Sequence, residues 1–347
     1  MKLGIIGTGK IIHEALPAME PIKTIEKTAI FARPHSREKG EKLAARFGIS
    51  EVYTDYDELL AKADIDCVYI GLVNSAHHPY AKAALLAGKH VILEKPFTST
   101  VAEAEDLAAL AREKGLFIME AVTVLHSDLF DKMKESVNKL GPIKLAHANY
   151  SQYSSRYGRY KEGKVDPAFN PELSGGALYD INLYNIQYLI ALLGTPDEAA
   201  YFPNKGFNGI DTSGILIMNY PEFTAACTGA KDCDGPSGIS LQGEEGYMRL
   251  DGKPNVPNNL YLEYIDPDHP ELVESPSGGM DRAKLTFSYE PGPVHHRMTR
   301  EFEDFARIVD SGDAKEAEAC LCQSLHVMKV LEKARKGAGI HFGVDQD

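Results

Sequence analysis

Short apolar runs alternate with helix-patterned segments through the first 120 residues, and this alternation restricts the chain more than any other feature. The runs lie at 2–6, 27–32, 65–72 and 116–120, with a further strand that closes on Glu94-Lys95-Pro96. Neighbouring strands separated by a helix run parallel, because a parallel pair needs a long crossover. The run at 65–72 is almost continuously apolar, as a strand covered on both faces must be. The fold class over 1–120 is therefore α/β, a doubly wound parallel sheet. Ligands of such sheets bind outside the carboxyl ends of the strands. The residues that follow each strand thus become the candidates for function.

The first strand runs into Gly7-Thr8-Gly9-Lys10-Ile11-Ile12 and then a helix expected to stop near Pro17. In this context Gly7 permits the tight turn and Gly9 lets the backbone approach a pyrophosphate at the helix N-terminus. The same glycines also serve plain chain reversals. Ile12 stands where a third glycine is usual, so helix and strand are expected to pack less closely. The second strand ends in Ala32-Arg33-Pro34-His35-Ser36-Arg37, without the acid that binds a ribose 2′-hydroxyl in NAD enzymes. Arg33, with Ser36 and Arg37 as further candidates, suits a 2′-phosphate. NADP is the expected cofactor, with NAD left open, and the alternative for Arg33 is a solvated loop residue. Asn74 and His77 follow the third apolar run at the same edge, and Lys95 follows the fourth strand. A strand-ending ammonium at that edge is either a catalytic group or a surface cap.

Charge narrows the partners. A formal charge of −13 over 347 residues opposes general binding to a nucleic-acid backbone. No apolar run approaches the roughly 18 residues of a membrane span, and the expected location is cytoplasmic. The five cysteines show no CxxC spacing and the twelve histidines no HExxH, so no metal site or disulfide frame is expected. Cys67, inside an apolar strand, is expected in the core.

The chain resembles the glucose–fructose oxidoreductase/inositol dehydrogenase (Gfo/Idh/MocA) family of NAD(P)-dependent oxidoreductases over essentially its whole length. The resemblance rests on Gly7-Thr8-Gly9, Asn74-x-x-His77, the run from Ala87 to Pro96, Met119-Glu120-Ala121, and the run from Gly175 to Tyr184. It implies a Rossmann domain over 1–120 and a C-terminal α+β domain over 121–347 with a largely antiparallel sheet, which shapes the substrate site and mediates a homodimer or homotetramer. It implies cofactor contacts by Gly7, Thr8, Gly9, Lys10, Ile11, Arg33, Arg37, Asn74, His77, Glu94 and Lys95, with Lys95 beside the nicotinamide. Val122-Thr123-Val124-Leu125-His126 departs from the family's usual Trp-x-Arg-Phe, which leaves the substrate-lining chemistry there open. The family carries His or Tyr at position 184. Tyr184 makes the chain look like the glucose–fructose oxidoreductase, xylose dehydrogenase and dihydrodiol dehydrogenase branches.

In the second half, strands are expected at 143–153, 198–202, 214–220, 222–230, 238–242, 247–250 and 260–264, separated by Asn-Gly, Pro and Gly turns. Amphipathic helices at 301–310 and 316–336 are expected to return toward the first domain. The Tyr- and Arg-rich stretch 154–171 is either a loop closing over a polar substrate or a solvated connection. Asp180 and Tyr184 are spaced i, i+4, so on an α-helix they share a face. A carboxylate and a phenol there suit a carbohydrate-like hydroxy substrate, Asp180 accepting from a hydroxyl and Tyr184 exchanging the proton at the reacting carbon. Lys95 and an oxidised nicotinamide are expected to lower the phenol's pKa. The alternatives are a packed tyrosine with a solvated aspartate and, for the whole protein, a non-catalytic NADP-binding sensor.

Overall fold

A computed structural model describes residues 1–269, 271–274 and 278–346. The N-terminal half forms a six-stranded sheet from β1 (Lys2–Ile6), β2 (Glu26–Phe31), β3 (Glu51–Tyr53), β4 (Cys67–Ile70), β5 (His90–Glu94) and β6 (Ile118–Ala121). Every pair is parallel and the order is β3-β2-β1-β4-β5-β6. The chain reverses its winding between β1 and β4, which opens a crevice at their carboxyl ends. The short edge strand β3 was not anticipated, since three residues carry too little alternation to read.

Helices α1 (Lys10–Met19), α2 (Arg37–Phe47), α3 (Tyr56–Lys62), α4 (His77–Leu86) and α5 (Val101–Lys114) cross between the strands. Helix α1 runs through Pro17 rather than stopping at it. A proline in the last turn forfeits one hydrogen bond, and burial of Ala18 and Met19 offsets that loss. Helix α5 starts in a full capping box between Thr100 and Glu103 and stops at left-handed Gly115.

Beyond β6 come α6 (Asp128–Ser136), β7 (Ile143–Ser151), α7 (Tyr157–Lys161) and α8 (Leu183–Leu193). The second sheet joins β7 to β8 (Glu198–Lys205), β9 (Asp211–Asn219), β10 (Thr224–Ala230), β11 (Gly238–Gly243), β12 (Gly246–Lys253) and β13 (Val256–Ile265). After β14 (Leu272–Glu274) and β15 (Met280–Arg282), which form a separate hairpin, β16 (Lys284–Tyr289) completes it. The order is β16-β13-β12-β11-β7-β10-β9-β8, and only β7 and β10 pair in parallel. The largely antiparallel sheet is as expected. Alternation along β10 buries Ala225 and Cys227 and turns Thr224, Ala226 and Thr228 to the other face.

Helices α9 (Thr299–Ser311) and α10 (Ala314–Gly337) return to the N-terminal half. Met298, Phe302, Phe305 and Ile308 share one core with Leu3, Ile5, Tyr69, Ile92 and Met119. Phe302 meets Tyr69 edge-on at 5.2 Å, and the Thr299 hydroxyl donates to Ala18 O at 3.0 Å. The first sheet is thus covered on one side by a helix from the far end of the chain. Cys67 is buried within this core. Among the described residues, no helix is long and apolar enough to cross a membrane.

Candidate active site

The crevice between β1 and β4 opens into a cavity of about 650 Å³. One end is built by the turn from Gly7 to Ile11. Gly7 has φ +121°, and a Cβ there would meet Gly71 O at 2.7 Å, so only glycine fits. Gly9 caps α1 with no side chain accepting its first N–H groups. A helix N-terminus with uncapped donors at the mouth of a cleft is ready for an anion. The close approach usually given by a third glycine is made instead by Gly71, where a Cβ would stand 2.6 Å from Ile12 Cδ1. Helix α1 therefore packs closely despite Ile12, contrary to expectation.

A basic rim follows. Arg33, His35, Ser36 and Lys39 line the cavity, and no acid stands at the end of β2. Arg37 is not part of it. Helix α2 starts at Arg37 and directs its guanidinium to Glu41, one turn on, at 2.8 Å. Lys39, missed in the sequence, was legible from spacing: it stands three residues after Ser36 on the same helical face.

Asn74 lines the cavity and also donates to Ser174 O at 2.8 Å, tying the two halves of the chain together. His77 does not line it. Its ring is fully buried, Nδ1 donates to Pro96 O at 2.8 Å, and Nε2 lies 3.3 Å from Leu72 O. Burial pushes its pKa down to about 4, so a neutral imidazole braces the segment after β4 against the segment after β5.

Lys95 occupies the opposite end. Its ammonium donates to Asp180 Oδ1 at 3.0 Å and to Asp180 O at 2.9 Å, and lies 5.0 Å from the ring centre of Tyr184. Burial opposes its charge, yet Tyr184, Asp180 and Glu94 hold it above the ordinary lysine value. The other Asp180 oxygen accepts from Lys231 at 2.5 Å. Burial would raise the Asp180 pKa, but Lys231 and Lys95 outweigh it and hold the carboxyl well below its usual range. Each Asp180 oxygen thus carries an ammonium partner, while the side chain stays about a third exposed at the cavity wall.

The i, i+4 expectation for Asp180 and Tyr184 needs a correction. Residues Leu178–Asn182 form a wide π-turn before α8, so the two side chains are not stacked on one regular α-turn. Asp211 accepts the Leu178 N–H at 2.6 Å, and Asn182 donates to Cys227 O at 3.0 Å, fixing the turn on the second sheet. Tyr184 is buried beside Tyr150, ring centres 5.8 Å apart. Burial raises its pKa, and Lys95 and Arg297 pull it back only in part. The protein by itself therefore holds this phenol above its ordinary value, with Lys95 lowering it as expected but by less than burial raises it.

Glu94 lines the cavity with its carboxylate buried, accepting from the Tyr69 hydroxyl at 2.6 Å. Glu120 and Glu301 are buried with it, and both oxygens of Glu301 lack a hydrogen-bond partner among the described residues. Burial and then the Glu94 charge push the Glu301 carboxyl well above the usual range. Arg297 pairs with Glu14 of α1 and lines a second cavity of about 530 Å³. The stretch 154–171 fits neither expectation alone. Tyr160 stacks on Phe169 at 4.9 Å and on Phe207 at 4.5 Å, while Arg156 and Asp166 form part of the cleft wall.

The Gfo/Idh/MocA family, described as an oxidoreductase family with an NAD-binding Rossmann fold, matches residues 1–122. The chain is 30% identical over 346 residues to scyllo-inositol 2-dehydrogenase (NADP(+)) IolU of Bacillus subtilis, covering 100% of this chain and 99% of that one. It is 28% identical over 351 residues to D-xylose 1-dehydrogenase (NADP(+)) 2 of Haloferax volcanii, covering 99% and 100%. Among solved structures, KijD10, a 3-ketoreductase from Actinomadura kijaniata in complex with NADP and TDP-benzene, superposes with a TM-score of 0.79 at 25% identity over 97% of each chain.

Proposed function

The chain belongs to the Gfo/Idh/MocA family of oxidoreductases, and from that premise we propose that it is an NADP-dependent dehydrogenase or reductase acting on the CH–OH or C=O carbon of a sugar or polyol. The observation that carries the reading is the Lys95 ammonium, bound to Asp180 and 5.0 Å from the Tyr184 ring, in the cavity whose other end is the glycine turn and basic rim. The relatives named for a cyclic polyol and for an aldose are similar to nearly the same degree, so the substrate within this class is not chosen by likeness.

The cavity suits a phosphorylated dinucleotide. The uncapped start of α1, with no side chain on Gly7 or Gly9 to obstruct it, takes a pyrophosphate. Arg33 and Lys39, with His35 and Ser36, take a 2′-phosphate. When bound, the cofactor supplies the carbon centre that accepts or gives the hydride. Lys95 places positive charge at the substrate oxygen and stabilises the negative charge that develops there. Tyr184 takes the alcohol proton in oxidation and returns it in reduction. Asp180 does not meet the substrate in this scheme; it aims Lys95. The division of labour is dinucleotide binding by 1–120 and substrate binding by 121–347, with α9 lent back to the first sheet. The face of the second sheet that exposes Leu145, Phe202, Ile215 and Tyr247 is the surface for a homodimer.

The test is a spectrophotometric screen at the reduced-nicotinamide band, with NADP and NAD offered separately against aldoses, inositols and acyclic polyols. Turnover with NADP on at least one of them is expected. Tight NADP binding without turnover on any would favour the sensor reading.

A further inference from the structure

We propose that Lys231 is a positioning residue for this reaction: it grips Asp180 from behind the cleft, and Asp180 in turn fixes Lys95 at the reacting oxygen. The inference rests on the oxidoreductase reading given above. Lys231 directly follows β10, and only 3% of its side chain is exposed. Its ammonium donates to Asp180 Oδ2 at 2.5 Å and to Ala168 O at 2.8 Å, and stands 4.5 Å from the centre of the Phe169 ring. Asp180 and Ala168 line the cavity, whereas Lys231 does not. With its side chain behind the cleft wall, its route to the reacting atoms runs through Asp180.

The arrangement has a geometric effect. Each Asp180 oxygen is held by a different ammonium, so the carboxylate cannot rotate without breaking a charged hydrogen bond. Lys95 is then held by two acceptors of one residue, the carboxylate and the main-chain oxygen. Without Lys231, the Oδ2 atom loses its anchor and Lys95 follows the carboxylate.

It also has an electrostatic effect. Lys95 and Asp180 alone sum to zero charge, and Lys231 brings the cluster to +1. Shared between two ammonium groups, Asp180 cancels less of the Lys95 charge where it faces Tyr184, with Glu94 the other carboxyl beside Lys95. Lys95, Arg297, Glu94, Asp180 and the phenol of Tyr150 surround Tyr184, while Asp180, Lys95 and Asp211 surround Lys231. Lys231 reaches Tyr184 through Asp180: without it Asp180 offsets more of the Lys95 charge, which makes the phenolate harder to form. A lysine is costly to bury unless it is paired, and the simpler explanation is that Lys231 only fastens the segment around Ala168. The two accounts differ in what they do to the pH profile.

The experiment compares the wild type with Lys231→Met and Lys231→Arg. For each, kcat, KM for NADP, NADP affinity by fluorescence, melting temperature and the pH profile of alcohol oxidation are measured. In Lys231→Met, kcat is expected to fall roughly tenfold or more with NADP affinity within about twofold of wild type. Its acid limb is expected to move to higher pH, and Lys231→Arg to recover most of the turnover. Wild-type kcat and profile in Lys231→Met would overturn the proposal, as would a lower kcat with the limb unmoved. If the wild type turns over no alcohol, the oxidoreductase reading fails, and crystal structures of wild type and Lys231→Met decide the positioning role. Separation of Lys95 Nζ from Asp180 Oδ1 in the variant supports it, and an unchanged contact overturns it.

Discussion

Gly71 at the end of β4 provides the space into which Ile12 of α1 packs: a Cβ at position 71 would lie 2.6 Å from Ile12 Cδ1 and 2.9 Å from Ile11 Cγ2. The close approach of helix to sheet that positions the uncapped N–H groups of α1 is thus made from the strand side. Gly71→Ala forces α1 outward and is expected to cost about 1–3 kcal/mol of stability, together with NADP affinity. Ile12→Ala in the Gly71→Ala background should recover part of both. Denaturant unfolding and fluorescence titration of the four proteins of this cycle check it, and strict additivity would show that the two residues are not coupled.

The basic rim predicts a selective loss. Arg33→Ala and Lys39→Ala should each weaken NADP binding by roughly tenfold or more, the scale of a charge-assisted hydrogen bond of about 1.5–3 kcal/mol. Affinity for NAD should change little. Arg37→Ala, whose guanidinium is engaged by Glu41, should bind NADP as the wild type does. Equal losses for both cofactors in the Arg33 variant would remove the 2′-phosphate role.

Tyr184→Phe and Lys95→Ala should each lower turnover at least tenfold while NADP still binds. The pH dependence follows from the raised pKa of Tyr184. As a base the phenol must lose its proton, so alcohol oxidation climbs with pH through neutrality and beyond. As an acid it is already protonated at neutral pH, so carbonyl reduction stays level there and falls only in alkali. The alkaline rise in oxidation should vanish in Tyr184→Phe. A rise that persists in that variant assigns the base elsewhere.

Glu301 predicts a pH-dependent stability. Its folded pKa is raised far above the unfolded value of about 4.3. The native state therefore retains a proton that the unfolded chain releases. The contribution is fully present below the unfolded pKa and is lost as pH rises toward the folded pKa, by up to about 1.4 kcal/mol per pH unit. Glu301→Gln keeps the neutral shape and removes the titration. Its melting temperature should exceed that of the wild type at pH 8, with the gap shrinking toward pH 5. A constant gap across this range would mean that Glu301 is ionised in the fold.

What was legible in the sequence was local or periodic. The βα alternation of the first 120 residues determined a parallel sheet, and the strand ends determined which residues reach its carboxyl edge. Gly7, Gly9, Arg33, Asn74, Glu94 and Lys95 all line one cavity for that reason. The absence of an acid after β2 is also a local fact, and it pointed to the same cofactor that the relatives' names carry. Tertiary structure decided the rest. Arg37 and Lys39 differ by two residues, and the starting phase of α2 determines which of them faces the cleft. Ile12 looked like a defect until the sheet order set Gly71 beside it. Burial, which no spacing reveals, made His77 a neutral brace and holds the Tyr184 phenol above its ordinary value in spite of Lys95. Lys231 lies 51 residues from Asp180, and only the pairing of β10 with β7 and β9 brings its ammonium to that carboxylate. Periodicity determines the face a side chain takes within its own element; the identity of its partner depends on how distant elements pack, and the charge it carries on how much water that packing removes.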